Sequence, residues 1–152
     1  MTLSAALGSH PGFSHLSPDD FEALAYAFAP RSLRAGDVLF EEGDAATEVA
    51  IVLSGELDME RERGPRTVTF GRTGPGALLG LVAILGGRRS ATCRAVGKVE
   101  AAVAPAAAFH LLLGGHSPFS LAVQEALACQ LAEDFRRLSD RLVEGLAASV
   151  SQ

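Results

Sequence analysis

The sequence predicts a mainly β fold, an antiparallel sandwich or barrel with one helix before it and a long helix after it. Three observations carry that expectation. Between residues 31 and 104, short segments of alternating apolar and polar residues recur between turn signals, roughly every 8–12 residues, as half-buried antiparallel strands do. On both sides of that block the apolar residues switch to helical spacing. The chain of 152 residues, 48 % apolar and 20 % charged, suits one globular domain with a core of its own.

The elements follow in chain order. Residues 1–16 contain Gly8, Pro11 and Gly12 and predict a loose arm with about one helical turn. Ser17-Pro18-Asp19-Asp20 is a helix start, with Ser17 as N-cap, Pro18 at the first helical position and two acids at the positive end of the dipole. Phe21, Leu24, Ala25 and Phe28 make one apolar stripe, and Pro30 is expected to end the helix. Strands are expected at Val38–Phe40, Val49–Leu53, Leu57–Met59, Thr67–Phe70, Ser90–Val96 and Val99–Val103, separated by glycine- and proline-containing turns such as Ser54-Gly55 and Gly74-Pro75-Gly76. From Pro105 to about Ala148 the pattern is helical, broken at Gly114-Gly115 and restarted by Ser117-Pro118. The organisation is therefore an arm (1–16) and one domain (17–148), with strands in 31–104 and helices in 105–148.

In the last helix Leu127, Leu131, Phe135, Leu138 and Leu142 step by four, four, three and four, a narrow seam flanked by charges. That seam predicts a homodimer through residues 119–146. The same stripe also fits a helix packed on its own barrel, and both readings stay open.

Composition excludes several classes of function. Thirteen basic against 18 acidic residues give −5, which offers no broad attraction to nucleic acid or an anionic membrane, so neither direct DNA binding nor membrane association is expected. No run reaches about 18 apolar residues and nothing resembles a secretory leader, so a cytoplasmic protein with free thiols is expected. Cys93 reads as a small core residue, and with Cys129 it is one thiol pair short of a four-thiolate metal site. His10, His15, His110 and His116 are scattered without ligand spacing. No nucleophile–base pairing, Walker loop or zinc motif occurs, so the chain reads as neither an enzyme nor a metalloprotein, and no cofactor is expected beyond a ligand.

Two stretches carry more specific information. The first runs from Gly36-Asp37-Val38-Leu39-Phe40-Glu41-Glu42-Gly43-Asp44 through Val49-Ala50-Ile51-Val52-Leu53-Ser54-Gly55-Glu56-Leu57. Its glycines supply turn conformations between alternating strands. The second is Leu79-Gly80-Leu81-Val82-Ala83-Ile84-Leu85-Gly86-Gly87-Arg88-Arg89-Ser90-Ala91-Thr92. Together they resemble the cyclic nucleotide-binding domain family, found in the cAMP receptor protein, protein kinase A regulatory subunits and cyclic-nucleotide-gated channels. The resemblance covers about residues 17–145. It implies a jelly-roll-like antiparallel double-stranded β-helix (a β-roll) with an N-terminal helix and a long C-terminal helix.

The second stretch resembles the family's phosphate-binding cassette, which holds a cyclic phosphate with backbone N–H groups and one arginine, the chemistry a single negative charge requires. The resemblance assigns ligand contacts to Leu79, Gly80, Leu81, Val82, Ala83, Arg88, Arg89, Ser90 and Ala91, with Arg89 as the phosphate arginine and Ser90 and Ala91 as hydroxyl and amide donors. Leu81 stands where relatives usually carry a glutamate that accepts from the ribose 2′-hydroxyl, which removes about 1.5–3 kcal/mol. The loop to Arg89 is one residue short of the common spacing, so Arg88 and Arg89 are interchangeable candidates.

The function implied is a sensor domain that binds cAMP or cGMP and passes the signal through the last helix to an unidentified output protein, since no DNA-binding or kinase segment follows. A ligand-free β-roll serving as a protein-interaction scaffold is the alternative, and the sensor part of a transcription regulator is a further one.

Overall fold

A computed structural model describes residues 1–81 and 87–151. Its helices are α1 (Leu3–Gly8), α2 (Pro18–Ala25), α3 (Ala106–Gly114) and α4 (Pro118–Val150), with a 3₁₀ turn at Phe13–His15. The strands are β1 (Ala29–Leu33), β2 (Val38–Phe40), β3 (Glu48–Ser54), β4 (Leu57–Arg63), β5 (Arg66–Thr73), β6 (Leu78–Leu79), β7 (Thr92–Ala95) and β8 (Val99–Pro105). They form two four-stranded sheets, ordered β1-β8-β3-β6 and β2-β7-β4-β5, and every pairing is antiparallel. The mainly β architecture with flanking helices is the one the sequence predicts.

Two sheets packed face to face enclose the first core: Leu33, Leu39, Phe40, Ala50, Val52, Leu57, Cys93, Ala95, Val99 and Val103. The outer face of the β1-β8-β3-β6 sheet carries the second, in which Val49 and Ala104 meet Leu24, Phe109, Val123, Ala126 and Leu127. β3 and β8 are thus covered on both faces, which explains why Val49-Ala50-Ile51-Val52 and Ala101-Ala102-Val103-Ala104 are unbroken apolar runs. Each fully buried leucine or phenylalanine contributes about 1.5–3 kcal/mol.

Both proline-marked helix starts form as expected. The Ser17 hydroxyl accepts from the Asp20 N–H at 3.2 Å, and the Ser117 hydroxyl from the Ser120 N–H at 3.1 Å. The end of α2 differs: it stops at Ala25, and Pro30 lies in β1 opposite Ala102. β1 is the edge of its sheet, the position where a strand residue without an N–H is tolerated.

The loose arm expected at residues 1–16 is corrected. Ala6, Leu7 and Phe13 are buried, and α1 packs Ala6 and Leu7 on Ile51 and Ala102. A six-residue helix is too short to show periodicity, so only the fold reveals it. Gly12 fits the segment against α4: a side chain there would run into the Ala126 carbonyl and the Gln130 backbone.

The last helix divides. Val123, Ala126, Leu127 and Gln130 are buried and Leu131 packs on the same core, so Leu127 belongs to its own domain and not to a dimer seam. Beyond that point Phe135, Leu138 and Leu142 are 72 %, 67 % and 64 % exposed.

Candidate functional site

Strands β2 and β6 and the loop before β7 line an open cavity of about 320 Å³, to which α4 contributes Asp134. Its walls are Phe40, Met59, Leu78, Leu79 and Cys93 with Gly80, Leu81, Arg88, Arg89, Ser90, Ala91 and Asp134. Seven of the nine residues assigned from the sequence are thereby brought together; Val82 and Ala83 lie outside the described residues.

Arg89 is the chemical centre. Its side chain enters the fold, only 9 % exposed, and its guanidinium lies 3.5 Å from the centroid of the Phe40 ring. Nη2 donates to the Glu48 carbonyl at 2.6 Å, while Nη1 is buried with no partner among the described residues. Burial lowers the Arg89 pKa from its ordinary value, with Cys93, Glu48 and Asp44 acting in the opposite direction. The group remains a cation at neutral pH. It is held from its backbone as well: its N–H donates to Asp44 O at 2.8 Å, and its carbonyl accepts from the Gly43 N–H at 2.9 Å. The Gly43-Asp44 turn therefore sets where Arg89 sits.

Gly80 accommodates that arginine. Its φ is +85°, a conformation strained for any side chain, and an added Cβ would stand 2.6 Å from Arg89 Nη1. A backbone turn is thus laid directly on an unsatisfied donor. Arg88 is different: it is exposed and its Nη1 donates to Gly43 O at 2.8 Å, tying the loop to the turn. The interchangeability of the two arginines ends there, because Arg89 alone turns inward.

Leu81 is 4 % exposed and packs in the core with Phe109, Val123 and Leu127 while also contributing to the cavity wall. Ala91 is buried and Ser90 exposed. Cys93 is a core residue whose thiol burial pushes up, with the Arg89 charge opposing.

Asp134 was not foreseen. It reaches the cavity from α4, and its Oδ1 accepts from Gln130 Nε2 at 3.0 Å. Gln130, 1 % exposed, accepts in turn from the Gly12 N–H at 3.4 Å. A signal existed in the sequence, since Gln130 and Asp134 are polar residues four apart beside the apolar stripe. Glu48 was also missed. Its side chain is gripped by Arg31 at 2.8 and 2.9 Å, which fixes the strand whose carbonyl holds Arg89. Among the described residues no cluster of three or more His, Cys, Asp or Glu side chains is arranged to hold a metal ion. No helix among them is long and apolar enough to cross a membrane.

Fold and cavity together define a β-roll with an arginine-centred pocket. Residues 30–116, more than half of the chain, match the cyclic nucleotide-binding domain model, and the chain belongs to that family. It is 30 % identical over 107 residues to a candidate potassium channel protein of Rhodopseudomonas palustris, covering 68 % of this chain and 25 % of that protein. The chain therefore spans a quarter of that relative's length. The catabolite activator protein of Thermus thermophilus superposes with a TM-score of 0.73 at 27 % identity, over 90 % of this chain and 63 % of that one. The regulatory domain of Toxoplasma gondii protein kinase A, crystallised with cAMP, gives 0.67 at 25 % identity, over 72 % and 42 % respectively.

Proposed function

We propose that this domain is a cyclic-nucleotide sensor, binding cAMP or cGMP with the phosphate on Arg89 and the backbone following Gly80, and signalling through α4 to a protein partner. The observation that carries this reading is Arg89 Nη1, a buried cationic donor without a partner on a cavity of about 320 Å³. An anionic oxygen satisfies that donor and neutralises its charge in one contact. The Ser90 hydroxyl is available from the same wall. Asp134 extends the reading to α4: it lines the same cavity as Arg89, so a ligand there is placed to meet this helix and bias its position. The exposed apolar half of α4 is the surface on which we place a homodimer contact, with Phe135, Leu138 and Leu142 at its centre.

Calorimetric titration of the wild type and Arg89→Ala with cAMP and with cGMP tests the ligand assignment. Wild type is expected to bind one of them, and Arg89→Ala to lose at least about tenfold in affinity. No binding by wild type at millimolar nucleotide would sink the sensor reading. It would favour the scaffold instead, to which one observation already leans: Leu81 offers a ribose hydroxyl no acceptor and is committed to the core.

A further inference from the structure

The β4–β5 hairpin has features that packing does not explain. Phe70 is 52 % exposed in β5, and Val68 beside it is 45 % exposed. The register slips here: Met59 faces Gly71 while Glu60 faces Thr69, so Phe70 is the extra residue of a β-bulge. Bulges re-aim side chains, and this one leaves the Phe70 ring under the Arg61 guanidinium, 5.3 Å from centroid to Cζ. A stacked guanidinium keeps its edge free for hydrogen bonding. Arg61 uses that edge at once, donating from Nε to the Ser90 carbonyl at 2.8 Å.

Ser90 is the residue immediately after Arg89, and both face the cavity. The hairpin therefore reaches across to the loop that presents the anion-binding groups. On its other side that loop is tied by backbone bonds to residues 43–46: Arg89 N–H to Asp44 O at 2.8 Å and Ala46 N–H to Gly87 O at 3.1 Å. Just past Ser90–Ala91 the chain enters the β7 ladder at Thr92. Arg61 supplies the side-chain bond between these two anchorages, at the loop's midpoint.

We infer that Arg61 is a positioning residue for the pocket and Phe70 its platform: the pair holds the Arg88–Ala91 loop in its receptive shape through the Ser90 carbonyl. The inference rests on the reading of Arg89 as the anion-binding group. It also accounts for an aromatic residue left in water at a bulge, because the ring serves the guanidinium and not the core.

The test compares wild type, Arg61→Ala, Arg61→Lys and Phe70→Ala by amide hydrogen exchange without nucleotide and by titration with cAMP and cGMP. Exchange in residues 88–91 is expected to rise about tenfold in Arg61→Ala, the loss of one charge-assisted bond, and by less in Phe70→Ala. Exchange in β1 and β8 is expected to stay at the wild-type rate in all three. Arg61→Lys, which keeps a donor without the stacked plane, is expected to fall between wild type and Arg61→Ala. Nucleotide affinity is expected to drop in the same order. Unchanged exchange at 88–91 in Arg61→Ala overturns the inference whatever the nucleotide does. Raised exchange with unchanged affinity in a wild type that binds overturns the link to the pocket. Raised exchange in a protein whose wild type binds neither nucleotide supports the clamp and refutes the cyclic-nucleotide reading.

Discussion

A buried donor without a partner destabilises the fold that contains it, by about 1–3 kcal/mol and more when it is charged. Arg89 Nη1 is in that position, and the cation is only partly compensated by the Glu48 carbonyl and the Phe40 ring. Arg89→Met keeps an unbranched stem of similar reach to the arginine's Nε and removes the charge. It is expected to leave the melting temperature in the absence of ligand unchanged or raised while abolishing nucleotide binding. Scanning calorimetry decides it, and a fall of several degrees would show that the carbonyl and ring contacts outweigh the orphaned donor. Leu81 gives the opposite lesson. By family resemblance, a glutamate there restores an acceptor for the ribose and strengthens binding. Its burial against Phe109, Val123 and Leu127 reverses the expectation. Leu81→Glu removes an apolar side chain from the core and places a carboxylate among apolar groups, a destabilisation of about 3 kcal/mol or more. Urea titration is expected to show that loss, with no gain in affinity for cAMP or cGMP; a variant as stable as wild type would show that the side chain turns out into the cavity.

At the scale of elements, α4 joins two environments in one continuous helix of 33 residues. Its first half is fastened to the roll by Val123, Ala126 and Leu127 and by the close approach of Gly12. Its second half carries Phe135, Leu138, Leu142, Val143, Leu146 and Val150, each more than half exposed. An isolated amphipathic helix with a bare apolar stripe is marginal in water and gains by pairing it. The double variant Leu138→Glu/Leu142→Glu is expected to be monomeric at concentrations where wild type sediments as a dimer, with an unchanged β signal by circular dichroism. Wild type sedimenting as a monomer at high micromolar concentration would refute the dimer. Of the five residues read from the sequence as a seam, Leu127 and Leu131 pack on the roll, which leaves Phe135, Leu138 and Leu142 for this test.

For the molecule as a whole, the pair Arg31–Glu48 joins β1 to β3, the two strands that flank β8. The hydrogen bond from Arg31 holds the Glu48 carboxyl below its ordinary pKa, against the desolvation that would raise it. A carboxylate with a depressed folded-state pKa contributes stability above its unfolded pKa, and loses it as pH falls through the folded value. Wild type is therefore expected to lose more stability than Glu48→Gln on acidification from about pH 5 to pH 3. Both side chains are about one-third exposed or more, so the difference is under about 1 kcal/mol. Equal acid slopes in the two proteins would remove the pair from the account. Because the Glu48 carbonyl also receives Arg89, the same variant reports whether the strand's anchorage affects the pocket.

Period-two segments between Gly- and Pro-marked turns and two serine caps followed by proline determined by themselves that this chain is an antiparallel β block between helices, while the β-roll and the anion-site candidate came from the family resemblance of the Gly36–Leu57 and Leu79–Thr92 stretches. These signals are local: caps, turns and alternation depend on residues a few positions apart. Tertiary structure alone decided which arginine turns inward, that Leu81 packs in the core, that residues 1–16 are folded against the sheet, and that Asp134 reaches the cavity. β1 and the two-residue β6 were also hidden, the first by its proline and the second by its length. Each of these turns on burial or on a partner dozens of residues away: Arg89 on Glu48, Leu81 on Val123, Gly12 on Gln130. A side chain's neighbours across the fold, and not those along the chain, set whether it is desolvated or paired.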